Sequence, residues 1–323
     1  MAKGSSKKSA RKGIKKKRGR GLFLLCLFLF VTATLAAGFY FMVLYPGTPT
    51  EHRPPLLSEQ AKKKPLPQAQ KSLPEPLYEE PALPSQPTTS LTKSRKRPEK
   101  KPLAGRPLVA IVIDDMGYQQ KTGLALLALD LPLSFAFLPF TPFSEALQKE
   151  AQTRGRDILL HLPLEPLDSK WNPGPGALTV AMDPETVRRV LLQNLQAVPN
   201  AIGINNHMGS RFTASPQSMR PLLTLVRERN LFFLDSVTAS QSVGYDLAQE
   251  MGIKAARRTV FLDNDQNPDK IRAQLDLLVQ LAGEHGQAVG IGHPYPATVE
   301  ALRNYQSQLR SRTEMVGLSR LVH

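Results

Sequence analysis

The chain has 323 residues, with 42 Lys and Arg against 27 Asp and Glu and a formal charge of +15. That charge is unevenly spread: residues 1–21 hold ten basic and no acidic side chains, residues 46–107 hold twelve basic and six acidic, and residues 108–323 hold twenty basic against twenty-one acidic. A C-terminal region so close to neutral gives little support to a basic surface that tracks nucleic-acid phosphates, and the lone cysteine, Cys26, excludes an intrachain disulfide.

Residues 1–21 read as a cytoplasmic basic tail. The following run, Leu22 to Tyr45, is apolar almost throughout and, at ~1.5 Å per residue, is long enough to cross a hydrocarbon core about 30 Å thick. It outlasts the roughly 7–15-residue core of a cleaved signal peptide, so a single-pass membrane anchor is expected rather than processing at Thr34-Leu35-Ala36. The cationic flank should stay in the cytoplasm, which places everything after Pro46 outside it.

Residues 46–107 contain fourteen of the 28 prolines, many Lys, Gln, Ser and Glu, and few large apolar side chains. Such a stretch cannot bury enough surface to offset its ordering entropy and is expected to be a disordered linker, stiffened by segments such as Pro65-Leu66-Pro67.

From residue 108 to 323 the texture changes to short apolar runs alternating with amphipathic segments, the pattern of βα units on a parallel sheet. Strands are expected at Leu108–Ile113, Leu133–Leu138, Asp157–Leu160, Ala201–Asn205, Leu231–Leu234, Lys254–Ala256 or Arg258–Leu262, Ala288–Ile291 and Met315–Leu318. Asp183-Pro184, Ser215-Pro216 and Asn267-Pro268 each set a capping oxygen before a proline at the first helical position. Gly286 should stop the helix that starts at Asn267. The expected fold is α/β: a distorted or incomplete (β/α) barrel of about seven to eight parallel strands, the smaller kind of barrel.

Reactive side chains in such barrels lie at the C-terminal ends of strands. Here the apolar runs end on Asp114 and Asp115, His161, His207, Asp235 and His293. Those positions also suit plain helix caps or loop hydrogen bonds, so a single one would mean little. Gly203, Gly290 and Gly292 make no phosphate-binding fingerprint. Trp171 and Tyr295 could stack on sugar rings, or simply pack at the domain edge.

The segments VAIVIDDMGY, LLHLPLEP, GINNHMGSRFT, FFLDSVT and GIGHPYPATVEAL, in this order, resemble the polysaccharide deacetylase superfamily and most closely its divergent branch. The resemblance covers 108–323 and departs from the hydrolytic members at two places. The usual second metal-binding His is Glu165, and Asn206 to Arg211 replace an arginine-proline motif. It implies a metal-dependent hydrolase of acylated envelope polysaccharide such as peptidoglycan, with Asp114 as general base, Asp115 on the metal and His293 as general acid. Asp115, His161 and His207 would form a ligand set for a divalent ion, zinc first among those that accept imidazole and carboxylate. Glu165 would be a fourth ligand or orient one. Arg211 would stabilise an oxyanion or pair with Asp235, and Asp235 and Arg258 would support the site or touch substrate, while Arg258 and Asp263 also fit purely structural roles. The alternative is an inactive barrel serving as a membrane-tethered module that binds glycan or a protein partner.

Overall fold

The structure, a computed structural model, describes residues 105–323 and the single residue Thr32. The expected tail, membrane span and nearly all of the linker lie outside the described residues, among which no helix is long and apolar enough to cross a membrane.

The first half of the domain comprises β1 (Leu108–Met116), α1 (Gln120–Leu127), β2 (Ser134–Phe137), α2 (Ser144–Thr153), β3 (Ile158–Leu164), α3 (Pro184–Ala197), β4 (Gly203–Met208) and α4 (Pro216–Glu228). The second half comprises β5 (Phe232–Asp235), α5 (Gly244–Glu250), β6 (Ala255–Arg257), β7 (Val260–Phe261), α6 (Pro268–His285), β8 (Gln287–Gly292), α7 (Pro296–Arg312) and β9 (Glu314–Met315). The three Pro-marked starts form as expected: Asp183, Ser215 and Asn267 accept from the backbone N–H of Thr186, Ser218 and Asp269. Gly286, at φ 84°, ends α6 in the left-handed conformation that glycine adopts at low cost.

Eight parallel strands curl in the order β6-β5-β4-β3-β2-β1-β8-β7. Both stretches offered as alternatives for the sixth strand are strands. Residues 255–261 run first along β5 as β6 and then, after Arg258 and Thr259, along β8 as β7, so one piece of chain carries both ends of an incomplete barrel. The expected last strand is a correction: only Glu314 and Met315 pair, with the lower part of β1, and the chain then turns inward.

Alternation along the strands separates two cores. Val109, Ile111, Ile113, Leu160, Phe233 and Ala288 face outward and pack beneath the helices. Ala110, Val112, Leu159, Leu234, Val289 and Ile291 face inward, where Val316, Leu318, Leu321 and Val322 of the C-terminal segment fill the bore. That segment is tied down by Val316 N–H on Val109 O and by reciprocal bonds between Ala255 and His323. The lower bore is therefore apolar and filled, and the inward positions above it are left for polar groups.

Candidate metal centre

Counting upward by twos from the inner core gives Asp114 above Val112, His161 above Leu159, and His293 above Ile291. In β4 the outward Ile204 leaves Asn205 and His207 inward. All five are buried. Asp115 should point the other way, but the register with β2 shifts between Ile113 and Met116 and Asp115 has φ 52°. This local break in alternation brings two successive carboxylates to one site, a strained backbone of the kind that costs about 1–3 kcal/mol.

Asp115 Oδ1 lies 3.2 Å from His161 Nε2 and 3.0 Å from His207 Nδ1, and those two nitrogens are 3.2 Å apart. Each residue thus offers one ligand atom to a common point. Both Asp115 oxygens are buried without a hydrogen bond of ordinary angular geometry. Burial alone would raise the Asp115 pKa, but the charge of His207 and the close His161 and His207 nitrogens outweigh it and hold the carboxyl well below its usual range. A buried carboxylate with two imidazole nitrogens beside it suits a divalent cation, which those nitrogens can ligate once they carry no hydrogen, and Asp–His–His is a donor set that leaves further positions open. The residues present fit such an ion.

Around the cluster, His161 Nδ1 is 3.0 Å from Asn205 Oδ1, and Asn205 Nδ2 donates to both Asp114 oxygens at 2.8 and 2.9 Å. Across the bore, His293 Nδ1 meets Asp263 Oδ1, and the ring lies between Phe261 and Tyr295 at centroid distances of 5.1 and 5.5 Å. Tyr295 is buried against His293 rather than presented at the mouth. A cleft bordered by Tyr118, Leu138, Pro139, Pro163, Pro173 and His207 leads from the loops after β1, β2 and β3 to the cluster.

Other expected site residues lie elsewhere. The Glu165 carboxylate accepts from Val180 N–H at 2.7 Å and faces Arg211 Nε at 3.5 Å; it is not among the clustered ligand groups. A fourth ligand is therefore not what its side chain supplies in this conformation; it ties down the loop that follows β3. Arg211 is exposed, donates to Leu167 O, and pairs with Glu165 rather than Asp235. Asp235 shares the outward face of Phe233 and accepts from Val237 N, Ser242 Oγ and Tyr245 N, fastening the start of α5. Arg258 donates to the carbonyls of Ser236 and Val237.

These contacts have a common effect. Among the described residues, four of the five non-glycine residues with positive φ, namely Asp115, Phe140, Met208 and Val237, lie at or just beyond the upper ends of β1, β2, β4 and β5. The Met208 carbonyl is held by Asn206 Nδ2 and Thr238 Oγ1, and Val237 by Asp235 and Arg258. Asp235 and Arg258 thus stabilise the strained rim of the site. Asn205 and Asp263 are the buried partners of the clustered groups that sequence reasoning missed or set aside. The signal that could have found Asn205 was its parity with His207.

A parallel α/β half-barrel with a buried Asp–His–His cluster and an opposed Asp–His pair, all at strand C-terminal ends, defines a class of metal-site barrels. A profile of the divergent polysaccharide deacetylase family matches residues 111–322, and the chain belongs to that family. An uncharacterized protein of Haemophilus influenzae is 38% identical over 213 residues, 66% of this chain and 76% of that one. The uncharacterized protein YibQ of Escherichia coli is 37% identical over 221 residues, 68% of each chain. The crystal structure of an uncharacterized protein from Agrobacterium tumefaciens superposes with a TM-score of 0.65 at 27% identity, covering 69% of this chain and 92% of that one.

Proposed function

We propose that the barrel is a divalent-metal-dependent deacetylase of acylated polysaccharide in the cell envelope, with peptidoglycan as the foremost substrate and zinc as the foremost ion. The observation that carries this reading is the convergence of Asp115 Oδ1, His161 Nε2 and His207 Nδ1 within 3.2 Å of one another in a buried setting. When bound there, a divalent ion supplies a Lewis acid and a water that ionises near neutral pH.

The chain's own groups divide the remaining work. Asp114, oriented by Asn205, accepts a proton from the attacking water as general base. His293 is held by Asp263 through Nδ1, which directs Nε2 as the atom that delivers a proton to the leaving amine. The acylated sugar, in this reading, approaches the cluster from the side of the cleft beside His207. In this reading Leu22 to Tyr45 anchor the chain in the cytoplasmic membrane and hold the barrel outside it, where envelope polymer is found.

The test is metal analysis of the purified full-length chain together with acetate release from N-acetylated glycan strands. About one divalent ion per chain and metal-dependent acetate release are expected. A chain that holds no divalent ion above background would overturn the hydrolase reading and make the domain a binding module.

A further inference from the structure

Asn205 stands between the two halves of the site. It is register-paired with His161 across β3 and β4, fully buried, and makes contacts from both ends of its amide. Nδ2 lies 2.8 and 2.9 Å from the two Asp114 oxygens and 3.2 Å from Ser236 Oγ, and Oδ1 lies 3.0 Å from His161 Nδ1.

These contacts order the hydrogens for an ionised Asp114 and a neutral His161 whose other nitrogen serves the metal. An ionised carboxylate has only acceptors, so the end of the amide that faces Asp114 must be the NH2 group. The other end is then Oδ1, which can only accept, so the hydrogen between it and His161 belongs to Nδ1. A neutral imidazole carries one N–H. Nε2 of His161 therefore offers its lone pair to the point it shares with Asp115 Oδ1 and His207 Nδ1. His161 Nδ1 is 3.8 Å from Asp114 Oδ2, and the Asn205 amide bridges the two with hydrogen bonds.

We propose that Asn205 is a positioning residue that couples the metal ligand to the base: one amide sets His161 in the Nδ1–H tautomer and aims the carboxylate of Asp114. The inference rests on the metal-centre reading above. An aspartate at 205 could still accept from Nδ1 but could not donate to Asp114; alanine could do neither.

The test uses the full-length chain, stripped of metal, with 15N-labelled histidine, and reads the His161 ring tautomer by NMR and the affinity for Zn2+ alone by chelator competition. The wild-type chain should carry hydrogen on Nδ1 of His161. Asn205→Ala should lose that preference and weaken Zn2+ binding about 10–100-fold, the usual effect of removing an outer partner of a metal ligand. Asn205→Asp should keep both the tautomer and the Zn2+ affinity, because the acceptor is retained. An Nε2–H tautomer in the wild-type chain would overturn the inference and needs no variant to be folded. So would wild-type tautomer and affinity in a folded Asn205→Ala protein. A wild-type chain that takes up no Zn2+ but has the Nδ1–H tautomer defeats the metal reading alone and leaves the ordering by Asn205 standing.

Discussion

His293 Nδ1 lies 2.8 Å from Asp263 Oδ1, and the second oxygen of that carboxylate accepts from the His293 backbone N–H at 2.6 Å and from Thr298 Oγ1 at 2.5 Å. One buried carboxylate thus fixes the ring, the strand end and the first turn of α7 together. None of these groups belongs to the Asp115, His161 and His207 cluster. His293→Ala should accordingly reduce turnover by ~10²–10⁴-fold, the usual contribution of a general acid, and leave bound metal unchanged. Asp263→Ala should lower turnover and also destabilise the fold, by about 1–3 kcal/mol for each buried donor left unsatisfied. Metal content, kinetics and urea midpoints on both variants check this; loss of metal in His293→Ala would put that residue in the wrong half of the site.

The three clustered ligands should behave alike. Asp115→Ala, His161→Ala and His207→Ala are each expected to lower divalent-metal affinity by at least the ~10–100-fold seen for outer partners of a metal site. Glu165→Ala should stay close to the wild-type affinity, since its carboxylate serves Val180 N–H and Arg211. Calorimetry with Zn2+ separates the two groups, and a Glu165→Ala loss equal to that of His161→Ala would restore Glu165 as a ligand.

Asp235 is placed for stability. Its carboxylate accepts from Val237 N, Ser242 Oγ and Tyr245 N, so Asp235→Ala strands donors near the start of α5. A cost of about 1–3 kcal/mol is expected for each donor that water does not reach, with stoichiometric metal retained. Denaturant melts paired with metal analysis measure both; a stable protein lacking metal would reverse the assignment.

The membrane proposal has its own test. A periplasmic-type reporter such as alkaline phosphatase, fused after Lys101, should be active, because ten positive charges and no negative ones in residues 1–21 retain that end in the cytoplasm. Activity of a cytoplasm-only reporter at the same junction would invert the topology.

Much of the architecture was legible in sequence because it is written in local chemistry. Apolar runs of strand length, proline-marked helix starts at Asp183, Ser215 and Asn267, and the stop at Gly286 act within a few residues of themselves. The polar ends of those runs named Asp114, Asp115, His161, His207 and His293 as candidates. Alternation could further have separated inward His207 from outward Asp235, since Asp235 keeps the parity of Phe233 and Phe233 lies in the outer core.

Tertiary structure alone decided how those candidates combine. Alternation sends Asp114 and Asp115 to opposite faces; only the register break and the left-handed backbone at Asp115 bring both carboxylates inward, and the close histidines appear only once the sheet curls. Asn205 reaches Asp114 across 91 residues of chain, and Asp263 reaches His293 across 30. An amide or carboxylate carries no sign of its partner in its own neighbourhood, so these links exist only where the barrel brings strands together. Glu165 shows the converse: its place in the chain suggested a fourth ligand or a residue that orients one, but its carboxylate accepts from Val180 N–H and faces Arg211 in the loop after β3. Sequence determined which chemical groups stand at the strand ends, and the curl of the sheet determined which of them meet.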